Sequence, residues 1–248
     1  MIETMRAALP IPIIAVVGSR KSGKTTTVET IVRELTKKGY RVATAKHIHE
    51  PNFTIDAKGK DTWRHAQAGA QITVGVSTNE LATIKKTDTT KYKLSDVTQN
   101  CEDNTDIIIL EGFRNLIEQD LTVPKVVTAK NQDEIHEAMQ IIKPILAFTG
   151  PIKKAETPTL KIPCIDIQTE PEKLTEIIDK RVAPTIKKRR ESKETLSIKI
   201  DGKLVPLNPY VQKVTRNVLF AIVSTLKGVS IKENENVQIT LTSPSETE

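Results

Sequence analysis

Short apolar runs and amphipathic stretches alternate along the first three quarters of the chain. Residues 13–17 are all apolar, as is typical of a parallel strand covered on both faces. Apolar residues then recur at helical spacing, at Val28, Ile31, Val32 and Leu35, which predicts a helix ended by Gly39. Similar runs predict strands at 41–46, 72–76, 81–84, 107–110, 123–128, 145–148 and 165–167. Helices are predicted at 61–68, 95–102 and 135–141, and after Thr169, the N-cap of a capping box with Glu172.

This alternation predicts an α/β fold over residues 1–184, with a mostly parallel sheet and helices on both of its faces. Turn residues separate the runs 72–76 and 81–84, which predicts a hairpin within that fold. Ligands of such sheets bind at the carboxyl ends of the strands, so we look for functional residues directly after each apolar run.

The pattern changes at residue 185. Residues 185–194 are almost all charged or polar, which predicts a basic linker or an exposed extension of the preceding helix. Residues 195–248 predict a small C-terminal α+β unit with a helix capped by Asn208, a last strand at 237–241 and a disordered tail. The helix has an apolar face from Val211 to Leu226, which indicates a core-facing side, although a partner-docking face would look the same.

A glycine-rich motif of the form G-x-x-x-x-G-K-T joins the first strand to the first helix. It consists of Gly18, Ser19, Arg20, Lys21, Ser22, Gly23, Lys24 and Thr25. Such a P-loop turns its backbone N–H groups toward phosphates, and the helix start adds a positive dipole end. We expect Lys24 to contact the β- and γ-phosphates, Thr25 to bind Mg²⁺, and Thr26 to lie beside the phosphates. The motif therefore predicts a P-loop NTPase.

A P-loop needs a carboxylate at the end of a neighbouring strand to hold Mg²⁺ or its water. Glu111 directly follows the buried run 107–110, so we expect it to be the second metal ligand and a catalytic residue. Asp106 begins the same run and is the poorer candidate, because it would lie at the opposite edge of the sheet.

Polar residues also follow the second strand. Lys46 and His47 are expected to face the phosphates or a second anion, and a metal site made by His47 and His49 lacks an evident third ligand. Farther along, Asp61 and Arg64 open a predicted helix. Arg64 is a candidate for stabilising transition-state charge, and the alternative is a capped helix with exposed charges.

These segments together resemble the molybdopterin-guanine dinucleotide biosynthesis protein B family over roughly residues 11 to 150 of the chain. The resemblance is carried by the P-loop and, in order, by Lys46-His47, Asp56, Gly59 to Arg64, Ala68-Gly69-Ala70 and Glu111-Gly112-Phe113. It implies a GTP-binding, Mg²⁺-dependent protein with weak GTPase activity that forms a homodimer. It also implies that such a protein assists the guanylyltransferase that attaches GMP to molybdenum cofactor, and that molybdopterin is a further ligand.

By the same resemblance, Gly18 to Thr25 would hold the phosphates and Glu111 would lie near Mg²⁺, while Lys46-His47 and the segment containing Asp61 and Arg64 would line the rest of the pocket. The guanine-reading pattern N/T-K-x-D is absent in standard form, and Thr128 to Asp133 is only a stretched version of it. The preference for GTP over ATP therefore rests on the resemblance. A small-molecule kinase with Asp56 or Asp61 as base, and a nucleotide-gated interaction module, remain open alternatives.

Composition narrows the picture in three ways. A net charge of +6 suits anionic ligands without requiring nucleic acid, so no nucleic-acid partner is predicted. Two distant cysteines, Cys101 and Cys164, favour a reducing compartment. The sequence has neither an 18-residue apolar run nor the pattern of a signal peptide, so we expect a cytoplasmic protein without a membrane partner.

Overall fold

The structure, a computed structural model, describes residues 10–50, 53–101, 104–152, 161–193, 198–200, 203–205 and 207–226. Its strands are β1 (Ile13–Gly18), β2 (Val42–Lys46), β3 (Ile72–Val76), β4 (Leu81–Lys85), β5 (Ile107–Glu111), β6 (Lys125–Thr128), β7 (Ile145–Thr149), β8 (Ile198–Ile200) and β9 (Lys203–Val205). Its helices are α1 (Lys24–Lys37), α2 (Asp61–Gln67), α3 (Leu94–Thr98), α4 (Arg114–Ile117), α5 (Gln132–Ile141), α6 (Pro171–Lys193) and α7 (Pro209–Ser224), with a 3₁₀ turn at Gln99–Cys101. The chain divides into two compact units, Leu9–Arg189 and a second that includes Arg190 and the residues after it.

The first unit is built on a five-stranded sheet in the order β2-β5-β1-β6-β7. All four neighbouring pairs are parallel. The carboxyl ends of these strands therefore meet at one edge, and β1, which leads into the P-loop, lies in the centre. The predicted α/β fold with a mostly parallel sheet is confirmed.

Helices cover both faces of this sheet because alternate strand residues point to opposite sides. Val16 and Ile109 face a core completed by α1 and α6, and Val17 and Leu110 face a second core completed by α4 and α5. All residues of β5 are buried, as expected for a strand between two helical layers.

The predicted hairpin is confirmed as β3 and β4, which pair antiparallel in a two-stranded sheet of their own. One of its faces carries Ile72, Val74, Val76 and Leu81, whose exposed fractions are 55%, 52%, 76% and 67%. Helix α2 contacts β3, and a Cβ atom at Gly75 would lie 3.6 Å from the Thr62 side chain.

Two predictions near α6 are wrong. Residues 165–167 form no strand, since the chain pairs with β7 only through the bridge between Phe148 and Cys164. Asp166 ends this pairing by accepting a hydrogen bond from the Gln168 N–H at 2.9 Å. Thr169 is not the N-cap, because α6 begins two residues later at Pro171, which needs no partner for an N–H. Helix α6 continues through residues 185–193, so the charged segment takes the form of the helix extension.

In the second unit, β8 and β9 form an antiparallel hairpin, and Asn208 caps α7 by accepting from the Val211 N–H at 2.9 Å. The expected burial of the apolar face of α7 is wrong for the described residues, since Val218 is 51% and Ile222 is 55% exposed. Among the described residues of this unit, one hairpin offers too little apolar surface to cover that face of the helix. The predicted strand at 237–241 and the tail lie outside the described residues. A search of the described helices found none long and apolar enough to span a membrane.

Candidate functional site

The P-loop connects β1 to α1 at the carboxyl edge of the sheet. Gly23 occupies the N-cap of α1 with a φ of 96°, in the left-handed region that favours glycine. A Cβ atom at Gly18 would lie 2.2 Å from the carbonyl oxygen of Thr128 at the end of β6. The two glycines are therefore required by backbone conformation and by close approach of a neighbouring strand.

A hydroxyl pair fastens the P-loop to β6. The Oγ1 atom of Thr128 lies 2.5 Å from Ser22 Oγ and 3.2 Å from the carbonyl oxygen of Val17. Ser22 Oγ also donates to the carbonyl oxygen of Ser19 at 2.8 Å. Thr128 and Ser22 are 1% and 0% exposed, so these bonds are shielded from water. This role of Thr128 was not predicted from the sequence, where its only signal is its position at the end of a predicted strand.

Lys24 lies folded back on the P-loop. Its Nζ donates to the carbonyl oxygens of Gly18 and Ser19 at 3.1 and 2.6 Å. Burial lowers the pKa of Lys24, the negative charge of Glu111 opposes that shift, and the positive charges of Lys46 and Lys130 add to it. The ammonium is thus held by carbonyl dipoles at the mouth of the loop, where a phosphate would give it a stronger, charged partner.

Thr25 and Glu111, the two predicted metal ligands, lie next to each other at the carboxyl edge of the sheet. Thr25 Oγ1 donates to Glu111 Oε1 at 2.9 Å, and Lys46 Nζ lies 2.9 Å from the same carboxylate oxygen and 3.4 Å from Thr25 Oγ1. A hydroxyl and a carboxylate are hard oxygen donors of the kind that Mg²⁺ prefers, so the residues present fit a magnesium ion. Asp106 lies at the other end of β5 and pairs with Arg41 at 2.8 Å.

His47 and His49 form a small ring cluster beside this group. Their Nδ1 and Nε2 atoms are 3.3 Å apart, and the His47 ring lies 5.3 Å from that of Phe113. Burial lowers the pKa of His47, and His49 lowers it further. Within the part of the chain that the structure describes, no three His, Cys, Asp or Glu side chains form a metal-binding group. A metal site at His47 and His49 therefore still lacks a third ligand there.

Asp61 and Arg64 lie on α2 and pair with each other at 3.6 Å, with side chains 87% and 70% exposed. Among the described residues neither has an ion pair to the P-loop, so their roles in binding and catalysis stay predictions. Asp56 accepts a hydrogen bond from Thr62 Oγ1 at 2.9 Å. Arg20 and Lys21 are exposed within the P-loop.

The segment after β6 adds two charged residues that the sequence analysis did not single out as a pair. Lys130 pairs with Glu134 at 3.2 Å, and Asn131 caps α5 by accepting from the Glu134 N–H at 3.0 Å. The positive charge of Lys130 lowers the pKa of Lys24 and the negative charge of Glu134 raises it. Whether Thr128 to Asp133 reads a base stays a prediction.

The model of molybdopterin guanine dinucleotide synthesis protein B, MobB, matches residues 13–148. The chain belongs to the MobB family. A relative from Methanocaldococcus jannaschii, named among the molybdopterin-guanine dinucleotide biosynthesis adapter proteins, is 32% identical over 92% of this chain and 97% of its own. The adapter protein of that name from Haemophilus influenzae is 34% identical over 42% of this chain and 58% of its own.

Solved MobB structures share the fold of the first unit. Bacillus subtilis MobB superposes with a TM-score of 0.54 at 23% identity, covering 67% of this chain and 97% of its own. A MobB homologue from Bacillus stearothermophilus gives a TM-score of 0.50 at 21% identity, covering 70% and 99%. Nearly the whole of each solved structure is matched, but about a third of this chain has no counterpart in them. The M. jannaschii relative, in contrast, aligns with most of this chain.

Proposed function

We propose that the protein is a GTP-binding adapter in the biosynthesis of molybdopterin guanine dinucleotide, acting in the cytoplasm with a molybdenum cofactor guanylyltransferase. The proposal is carried by one observation, the meeting of Thr25 and Glu111 at 2.9 Å beside Lys24. This is the arrangement that a Mg²⁺–triphosphate complex needs, and it occurs in a chain of the MobB family.

In this function, Gly18 to Thr26 hold the phosphates through backbone N–H groups, and Lys24 exchanges the carbonyl oxygens of Gly18 and Ser19 for phosphate oxygens. Thr25 and Glu111 hold Mg²⁺, which supplies positive charge for the phosphate oxygens. Because a phosphate oxygen carries a full negative charge and a carbonyl oxygen only a partial one, the ammonium binds phosphate more strongly and the exchange favours the loaded state.

The proposed GTPase activity is weak. Glu111 lies next to Thr25 beside the P-loop, but Arg64 is 70% exposed and pairs with Asp61. An arginine that stabilises the transition state must reach the γ-phosphate, so Arg64 would have to leave this pair. Slow hydrolysis suits an adapter that presents GTP rather than consuming it.

The remaining polar residues are proposed to serve the base and the cofactor. Lys130 and Glu134 lie on the segment after β6, their charges act on Lys24, and they are candidates for contacting guanine. Lys46 would face the phosphates of the nucleotide, while His47 and Asp61 would line the side that faces a molybdopterin ligand.

A homodimer is part of the proposal. The exposed apolar face of the β3–β4 hairpin supports it, since Val76 and Leu81 are 76% and 67% exposed on a sheet of only two strands. Such a sheet is marginally stable in water and gains from pairing with a second copy. Sedimentation of the full chain tests this part: a Val76→Lys, Leu81→Lys double variant is expected to be monomeric.

Calorimetric titration of the full chain with GTP, ATP, GDP and ADP, each with Mg²⁺ and with or without molybdopterin, tests the function directly. Tight binding of GTP over ATP is expected. Equal affinity for both triphosphates would refute the guanine preference, and no binding of either would refute the P-loop assignment.

A further inference from the structure

The ammonium group of Lys46 lies where the proposed site would place a metal ion. Lys46 is the last residue of β2, which pairs with β5 so that Lys46 lies opposite Glu111 in the register. Its Nζ is 2.9 Å from Glu111 Oε1 and 3.4 Å from Thr25 Oγ1. The same two oxygens that fit Mg²⁺ thus already contact a cation from the protein itself, which neutralises the charge of Glu111.

The spacing of those two oxygens suits a metal ion without rearrangement. They are 2.9 Å apart. Adjacent ligands of an octahedron with Mg–O distances of about 2.05 Å lie about 2.9 Å apart. Glu111 is also 8% exposed, so its charge requires a partner in either state.

Lys46 and Mg²⁺ cannot contact the oxygens of Thr25 and Glu111 at the same time. Like charges this close repel each other, and a divalent ion repels the ammonium about twice as strongly as a unit charge would. The Lys46 side chain is 53% exposed, and among the described residues its ammonium has one ion pair, with Glu111, and one long hydrogen bond, to Thr25 Oγ1, so it can turn away. When a Mg²⁺–triphosphate complex binds, it brings a γ-phosphate that contacts the metal ion. This phosphate is then the nearest new anion for Lys46.

The geometry points to Lys46 as an exchangeable counter-ion that distinguishes triphosphate from diphosphate. Without a γ-phosphate, Lys46 neutralises Glu111 and competes with Mg²⁺. With a γ-phosphate, Lys46 leaves Glu111 to the metal ion and binds the terminal phosphate. This inference rests on the proposed function for its nucleotide, but the competition between Lys46 and a divalent ion is a property of the chain alone.

The test uses the full chain and a Lys46→Met variant, with Lys37→Met as the matched control. Lys37 is also an exposed lysine paired with a glutamate, 2.8 Å from Glu34 Oε1, and lies at the far end of α1. In the first arm, Mn²⁺ replaces Mg²⁺ as a paramagnetic probe, and its binding to nucleotide-free protein is followed by electron paramagnetic resonance. Lys46→Met is expected to bind Mn²⁺ about tenfold more tightly than wild type or Lys37→Met.

In the second arm, calorimetry compares GDP with a non-hydrolysable GTP analogue over a range of Mg²⁺ concentrations. Lys46→Met is expected to bind the analogue more weakly and GDP at lower Mg²⁺, which reduces the triphosphate-to-diphosphate preference about tenfold. Lys46→Gln should behave like Lys46→Met, because both remove the charge.

The two proposals fail in different ways. Unchanged Mn²⁺ affinity in Lys46→Met, or an unchanged preference in a protein that binds both nucleotides, overturns the inference about Lys46. Absence of nucleotide binding by wild type overturns the proposed function instead, and a Mn²⁺ difference between wild type and Lys46→Met still supports the competition at Glu111.

Discussion

The two ends of β5 carry carboxylates that are alike in burial and unlike in their partners. Asp106, at the amino end, has a side chain 4% exposed and receives hydrogen bonds from the backbone N, Nε and Nη2 of Arg41 at 2.9, 3.0 and 2.8 Å. Glu111, at the carboxyl end, has a side chain 10% exposed and is bound by the hydroxyl of Thr25 and the ammonium of Lys46.

This difference separates a structural ion pair from an exchangeable one. The planar guanidinium of Arg41 binds Asp106 through a fixed fork, so the pair is specific and hard to replace. A lysine is a point charge on a flexible stem, and a hydroxyl can turn toward another partner. The amino edge of the sheet is therefore built for stability, and the carboxyl edge keeps its charges available for a ligand.

The largest expected effect is on binding at the carboxyl edge. Lys24→Ala should weaken triphosphate binding about 100-fold, because it removes charged contacts to phosphate that together contribute about 3 kcal/mol. Calorimetry with Lys37→Ala on the same helix as control measures this loss. Unchanged affinity in Lys24→Ala would show that the carboxyl edge does not bind phosphates through the P-loop.

The second effect should appear in stability alone. Asp106→Asn should lower the free energy of unfolding by about 2 kcal/mol, because it leaves the Arg41 guanidinium without its charged partner and Arg41 is only partly solvated. Urea unfolding measures the change, and nucleotide affinity measured in parallel should stay at the wild-type value. A matching loss of affinity would contradict the division between the two edges.

Much of the carboxyl edge could be predicted from the sequence, because the P-loop motif and the end of a strand can both be recognised within a short segment. The P-loop and Glu111 follow from spacing and from the apolar run before each. The contacts of Lys46 could not be predicted, because they depend on β2 lying beside β5, and strand order is not encoded locally. The pairing of Arg41 with Asp106 was missed for the same reason.

Errors occurred where a local pattern needed a distant partner. Residues 165–167 have strand-like composition but extend no ladder beyond the single bridge at Cys164. The apolar face of α7 has core-like spacing, yet Val218 is 51% exposed. Spacing predicts which side of a helix is apolar, whereas burial depends on what the fold places against it.

A smaller effect is expected from Glu111→Gln, the counterpart of Asp106→Asn. The amide keeps the shape but loses the charge, so the Mg²⁺ concentration for half-maximal GTP binding should rise about tenfold. Unfolding free energy should change by less than about 1 kcal/mol, because Lys46 is half exposed and regains water. Calorimetry at several Mg²⁺ concentrations and urea unfolding measure the two quantities. Destabilisation as large as that of Asp106→Asn would make Glu111 a structural residue.

The smallest predicted effect concerns Thr128, which joins the carboxyl edge to the core. Thr128→Val keeps the volume but removes the hydroxyl that lies 2.5 Å from Ser22 Oγ. Loss of one buried hydrogen bond costs about 1 kcal/mol, so triphosphate affinity should fall about fivefold through a looser P-loop. Thr128→Ser restores the hydroxyl and should recover most of that affinity. If Thr128→Val binds as tightly as wild type and Thr128→Ser does not, the methyl group of Thr128 and not its hydroxyl positions the loop, and packing alone would fasten β6 to the phosphate site.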